Sequence, residues 1–213
     1  MAASAIRRVA VIGTGAMGPG IAMCFAAGGR QVAMVGRSEA GLERARAGLR
    51  GCLDALEQEG LLSGQEAAEA FGRVAFSTDL GAAAAAGLVV EAVTENLATK
   101  QDLFVELDGL CPASTIIASN TSGLRITDIS ARVAHPERTA TTHFWLPPHL
   151  VPLVEIVKGE RTSDDTAESL RAVLTEIGKR PVVVKKDVPG QLGSRLLAAI
   201  TREAMYIVQE GIA

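Results

Sequence analysis

Cysteine and aromatic residues are scarce in this sequence, and each shortage removes a class of protein. Cys24, Cys52 and Cys111 are odd in number and show no CxxC spacing. That pattern excludes a disulfide framework and a cysteine-built zinc site, and it fits a reducing compartment. Aromatic side chains make up 3% of the chain, the formal net charge is −3, and no long Lys/Arg run occurs. The chain therefore has neither the basic footprint nor the stacking residues that nucleic acid or an anionic membrane would call for. Arg7-Arg8 and Lys185-Lys186 only flank apolar segments. The longest apolar run, Gly81 to Val90, is far short of the ~18 residues of a membrane span. The first strand should begin by about residue 6, so Met1 to Ala5 leave no room for a secretory or transit peptide. A soluble, cytoplasmic protein is expected.

With 48% hydrophobic residues over 213 positions, the chain can build one large core and the start of another. Its organising stretch is Gly13-Thr14-Gly15-Ala16-Met17-Gly18, which follows the apolar run Val9 to Ile12 and leads into Ile21 to Ala26. This is the pattern of a buried strand, a tight glycine turn and a helix N-terminus. Gly13 would allow the reversal, Gly15 the approach of a pyrophosphate, and Gly18 close packing of helix on strand. A second strand, Gln31 to Val35, follows at the distance a βαβ unit requires. Pro19 falls in the first turn, where its missing N–H costs nothing.

Further along, apolar residues at helical spacing predict a helix over Glu39 to Glu59, and Ser63 with Glu66 a capping box. Strands are expected at Val74 to Phe76, Leu88 to Val90, Thr115 to Ala118 and Thr139 to Thr142. Helices are expected over Asn96 to Leu110 and Ile126 to Val133, and the alanine run Ala82 to Ala86 reads as helical. Beyond Pro147-Pro148 come strand Leu153 to Val157, helix Asp164 to Ile177 and strand Val182 to Val184. The alternation predicts an α/β fold of Rossmann type, with a doubly wound, mostly parallel sheet. After Pro189-Gly190, Leu192 to Glu210 reads as an amphipathic helix whose apolar face lacks a partner. The expected division is residues 1–188 as the dinucleotide-binding domain, and 189–213 as a linker and the first helix of an all-α domain.

In such a sheet ligands lie beyond the carboxyl ends of the strands. The segments there are Gly13 to Gly18, Gly36-Arg37-Ser38, Ala92 to Glu95, Ser119 to Ser122 and His143 to Trp145. Glu155, inside an apolar strand, calls for a buried partner.

The stretches GTGAMGPGIA, VVEAVTENLATK, ASNTSGLRITDI, HFWLPPHLVPLVEIVKG, GKRPVVVKKDVPG and SRLL resemble, in order and spacing, the 3-hydroxyacyl-CoA dehydrogenases. That family's relatives include L-gulonate 3-dehydrogenase (the lambda-crystallin type) and carnitine dehydrogenase. The resemblance implies oxidation of a secondary alcohol with hydride passing to NAD. It makes His143 the general base, Glu155 the carboxylate that orients it, and Ser122 the hydroxyl that holds the substrate oxygen. Glu95 and Lys100 would contact the cofactor's ribose and nicotinamide region. Gly13, Gly15, Ala16, Met17 and Gly18 would hold its pyrophosphate.

Four departures bear on these expectations. Gly36 stands where the family has an acid for the adenosine ribose, and Arg37 follows it, which leaves NADP open beside NAD. Leu146 stands where an asparagine is expected near the nicotinamide. Ser194 replaces another asparagine on the substrate side. The family continues into an all-helical domain, so the chain is either a truncation or completed by a partner, and a homodimer through Leu192 to Glu210 is expected. Rival readings are a dehydrogenase of a free β-hydroxy acid and a nucleotide-binding module without catalysis.

Overall fold

The structure, a computed structural model, describes residues 6–213. The expectation for Met1 to Ala5 lies outside the described residues.

Alternating strands and helices build one eight-stranded sheet. In chain order they are β1 (Arg8–Ile12), α1 (Gly18–Ala27), β2 (Gln31–Val35), α2 (Glu39–Gln58), α3 (Gly64–Gly72) and β3 (Val74–Ser77). Then come β4 (Leu88–Glu91), α4 (Leu97–Leu110), β5 (Ile116–Ser119), α5 (Ile126–Ile129) and β6 (Thr139–Phe144). The last are β7 (Leu153–Val157), α6 (Asp164–Glu176), β8 (Arg180–Val184) and α7 (Leu192–Gln209). The strand order is β3-β2-β1-β4-β5-β6-β7-β8. All neighbours run parallel except β6 and β7, which are antiparallel. This is the Rossmann-like, doubly wound arrangement, and its order reverses between β1 and β4.

Helices cover both faces. On one, Ile21 and Phe25 of α1, Leu49 and Leu53 of α2 and Leu170 and Val173 of α6 pack on Val9, Val11, Leu88 and Val90. On the other, Phe104 and Leu107 of α4 with Ile126 and Ile129 of α5 pack on Ala10, Val89 and Ile117. Each such side chain withdrawn from water contributes about 1.5–3 kcal/mol. Helix starts follow the local chemistry: Ser38, Asn96 and Ser163 accept N-cap hydrogen bonds, and Ser63 and Glu66 form a capping box.

Several boundaries differ from expectation; β8 starts at Arg180, two residues before the expected Val182, and β5 is shifted by one residue. β6 runs two residues farther, because the ladder with β7 continues through His143↔Glu155 and Phe144↔Val154. His143 therefore lies on the strand and not after it. The helix expected to reach Val133 stops at Ile129, where Ser130 Oγ donates back to the Ile126 carbonyl and Ala131 N–H turns to Asp128. The alanine run gives only a 3₁₀ turn, Leu80–Ala83, capped by Asp79. Asn96 caps α4 instead of opening it.

α7 buries none of its residues; Leu196, Ile200, Met205 and Val208 are each about two-thirds exposed. Among the described residues no helix is long and apolar enough to cross a membrane, and Cys24, Cys52 and Cys111 are all free.

Candidate active site

Two clefts open at the carboxyl ends of the strands and meet at Met17, Asn120 and Ser122, which line both. The larger, about 920 Å³, runs over the glycine turn and between β1 and β4. Gly13 has φ +121°, and a Cβ there would stand 2.4 Å from the Ala92 carbonyl oxygen; at Gly18 it would stand 1.9 Å from that of Gly13. Only glycine fits either position. At Gly15 nothing lies within 4 Å, so that side of the turn is open. No side chain caps α1 at Met17, which leaves its first-turn N–H groups for an anion. These features fit a dinucleotide pyrophosphate. Ala16, Gly36 and Arg37 line the same cleft.

The β4–α4 side of this cleft is built on a buried ion pair. Glu91, with no exposed surface, accepts hydrogen bonds from Lys100 Nζ at 2.7 Å, Ser119 Oγ at 2.6 Å and Val93 N–H at 2.6 Å. Lys100 also stands 3.3 Å from Glu95 Oε2. Lys100, expected as a cofactor contact, lines the cleft but is itself almost wholly buried between two carboxylates. Glu95 is partly exposed and accepts from Thr121 Oγ1 and from the Ser122 and Gly123 N–H groups. Burial acts to raise its carboxyl pKa. The Thr121 hydrogen bond and the Lys100 charge outweigh that and hold it below the ordinary value. Glu95 thus ties the strand-end loop that carries Ser122 to α4.

The second cleft, about 620 Å³, is lined by His143, Phe144, Trp145, Leu146, Ser194, Leu197 and Thr201 among others. His143 and Glu155 face each other across the β6–β7 ladder, with His143 Nδ1 2.7 Å from Glu155 Oε2. An ionised carboxylate only accepts, so the imidazole proton sits on Nδ1 and Nε2 keeps its lone pair. Glu155 is almost wholly buried and has two further donors: Trp145 Nε1 at 3.1 Å to Oε2 and Gly193 N–H at 3.0 Å to Oε1. The carboxylate is satisfied on both oxygens, as burial demands. Trp145 lies against His143, ring centroids 5.6 Å apart. Asn120 Oδ1 accepts from Phe144 N–H at 2.8 Å and so joins the ends of β5 and β6.

The expected residues therefore fall into two groups around one junction. Gly13, Gly15, Ala16, Gly36, Arg37, Glu95 and Lys100 line the first cleft, His143 and Ser194 line the second, and Met17 and Ser122 line both, while Gly18 packs beneath the turn against Gly13 and lines neither. Glu155 stands behind His143. Sequence reasoning missed Glu91 and Gly193, and it placed Asn120 and Trp145 in strand-end segments of the site without giving either a role. Glu91 carried the signal that singled out Glu155, a carboxylate within an apolar run. Gly193 carried none, since its role depends on where α7 starts.

This fold and the glycine-turn cleft are those of a dinucleotide-binding domain. The family described as "3-hydroxyacyl-CoA dehydrogenase, NAD binding domain" matches residues 8–188, and the chain belongs to it. The chain is 41% identical, over 208 residues, to 5-formyl-3-hydroxy-2-methylpyridine 4-carboxylate 5-dehydrogenase of Mesorhizobium japonicum, covering 97% of this chain and 66% of that one. It is 39% identical to a probable 3-hydroxybutyryl-CoA dehydrogenase of Bacillus subtilis, covering 98% and 72%. The crystal structure of 3-hydroxybutyryl-CoA dehydrogenase from Escherichia coli superposes with a TM-score of 0.93 at 36% identity, covering 98% of this chain and 44% of that one. The chain thus spans between 44% and 72% of the length of these relatives.

Proposed function

We propose that the chain transfers hydride between a nicotinamide dinucleotide and the secondary alcohol of a 3-hydroxyacyl-CoA-type substrate. The observation that carries this reading is the His143–Glu155 pair, 2.7 Å apart beside the place where the two clefts meet. When bound, the oxidised dinucleotide supplies the hydride acceptor. His143 Nε2 takes the hydroxyl proton as the C–H bond breaks, and returns it in the reverse direction. Glu155 fixes the tautomer and stabilises the imidazolium that forms. Ser122, at the junction, holds the substrate oxygen. Gly13 to Gly18 hold the pyrophosphate, and Glu95 and Lys100 shape the wall next to the ribose and nicotinamide.

A second reading, a free hydroxy acid as substrate, is favoured by Leu146. It is 64% exposed and lines the substrate cleft where the resemblance leads one to expect an amide. The Mesorhizobium relative's name likewise specifies a carboxylate and no thioester. Turnover of 3-hydroxyacyl-CoA thioesters and free β-hydroxy acids, by wild type and by His143→Ala, tests both. Thioester turnover that disappears in the variant is expected. Turnover unchanged by the variant on every substrate overturns the assignment, and nucleotide binding without hydride transfer favours a non-catalytic module.

The same reading assigns residues 1–188 to dinucleotide binding and 189–213 to a linker and the first helix of a helical domain, in a cytoplasmic enzyme of fatty acyl metabolism. The exposed apolar residues of α7, Leu196, Ile200 and Val208 among them, support a homodimer formed through that helix. Light scattering at micromolar concentration tests it, and a monomer would contradict it.

A further inference from the structure

The adenosine end of the larger cleft carries positive charge that the described residues leave unneutralised. Four arginines belong to the β2–α2 turn and α2, namely Arg37, Arg44, Arg46 and Arg50. Arg46 pairs with Glu43 at 3.5 Å and covers the Phe76 ring, and Arg50 covers the Phe71 ring. Arg37 and Arg44 are different. Both are exposed, both line the cleft, and neither has an ion-pair or hydrogen-bond partner among the described residues. The carboxylates that line the cleft, Glu95 and Glu106, come from the β4–α4 side, and Glu95 is held by Lys100.

Two hydroxyls converge on the same place. A methyl group added at Gly41 would stand 3.0 Å from Thr14 Oγ1, 3.2 Å from Ser38 Oγ and 3.9 Å from Arg44 Nη2. Ser38 Oγ accepts from Gly41 N–H at 3.2 Å, so its own hydrogen is free to donate. These groups cluster at the N-terminus of α2, the end of a helix that favours negative charge. Packing also disfavours the alternative, a carboxylate that binds the ribose hydroxyls. A Cβ on Gly36 would lie 2.5 Å from Thr14 Cγ2 and 3.0 Å from Leu42 Cδ2, so an acid there would have to displace Thr14.

We propose that Thr14, Arg37, Ser38 and Arg44 form a site for the 2′-phosphate of NADP(H), and that the chain binds NADPH at least as tightly as NADH. The inference rests on the reading of this cleft as a dinucleotide site. Two guanidinium groups without an ion-pair partner among the described residues, although Glu39 and Glu43 are near in sequence, give charge-assisted hydrogen bonds to a phosphate dianion. The ribose of NAD offers that end only a neutral hydroxyl.

Direct titration of the protein with NADH and with NADPH, followed by nicotinamide fluorescence, tests the proposal without any turnover. The expected wild-type result is an NADPH Kd no higher than that for NADH, with adenosine 2′,5′-bisphosphate a better competitor than ADP. The double variant Arg37→Ala/Arg44→Ala removes only exposed side chains. It should raise the NADPH Kd about 10- to 100-fold and leave the NADH Kd within about threefold. Tighter binding of NADH by the wild type overturns the proposal, and so does a double variant that changes the NADPH-to-NADH ratio by less than about threefold. Binding of neither nucleotide would overturn the dinucleotide reading instead.

Discussion

His143 and Glu155 are register partners on antiparallel strands, and the ladder that pairs their backbones also sets their side chains 2.7 Å apart. In the proposed reaction the carboxylate does two things: it selects the Nδ1–H tautomer and offsets the positive charge that His143 gains on taking a proton. Glu155→Gln keeps the shape and most hydrogen-bonding capacity but loses the charge. Turnover should fall about 10²- to 10⁴-fold. NADH or NADPH binding, in the other cleft, should change little, which titration of the same preparation checks.

Glu155 also links the strand pair to α7. Trp145 Nε1 and Gly193 N–H occupy the rest of the carboxylate, and a Cβ at Gly193 would stand 2.1 Å from Trp145 Cζ2. Gly193→Ala must therefore move the indole or the start of α7. We expect turnover to fall by more than about tenfold, the equivalent of losing one or two hydrogen bonds to a charged group. Trp145→Phe removes one donor and keeps the ring, so its loss should be smaller. Because Trp145 is the only tryptophan, displacement in Gly193→Ala should also shift the emission maximum, and an unshifted spectrum would contradict the contact.

The legible and illegible parts of this molecule divide along the range of the interactions. The glycine turn could be read from residues 9–26 because its strand, turn and helix are contiguous, and backbone geometry alone requires Gly13 and Gly18. The capping box at Ser63 was legible for the same reason. His143 and Glu155 emerged as a pair only through the family resemblance, since apolar alternation marks two strands but says nothing of their relative direction. Lys100 shows the limit from the other side. The resemblance directed it at the cofactor, and nothing in its helical surroundings revealed that Glu91, at the end of β4, would hold it. Gly193 was illegible because its N–H meets a carboxylate 38 positions away.

Asp108 makes the fold sensitive to acid. It accepts from Arg138 Nε at 3.0 Å and Nη2 at 2.6 Å and from the Ala134 and His135 N–H groups, and so anchors the end of α4 to the entry of β6. Burial acts to raise its pKa, but the Arg138 hydrogen bonds and the Ala134 N–H prevail and lower it below 3.8. A depressed folded-state pKa contributes stability that is complete above the unfolded value and is lost as pH falls through the folded one. Urea midpoints should therefore decline below about pH 4. Asp108→Asn should be less stable at pH 7 and show a flatter decline. An unchanged pH slope would contradict this role.

Lys100 and Glu91 offer the sharpest separation of structure from catalysis. Removing one partner of a buried pair leaves an uncompensated charge, at a cost of about 3–5 kcal/mol, whereas replacing both can be nearly neutral. Lys100→Met should therefore be strongly destabilised in chemical denaturation, because Glu91 retains only Ser119 and Val93 as donors. Lys100→Met/Glu91→Leu should regain much of that loss, and the coupling energy from the full cycle should be favourable. Lys100 also restrains Glu95, which in turn holds the Ser122 loop by its backbone. The double variant should thus be stable yet bind dinucleotide less tightly than wild type. If it regained both stability and wild-type affinity, Lys100 would be a core residue with no part in shaping the cleft.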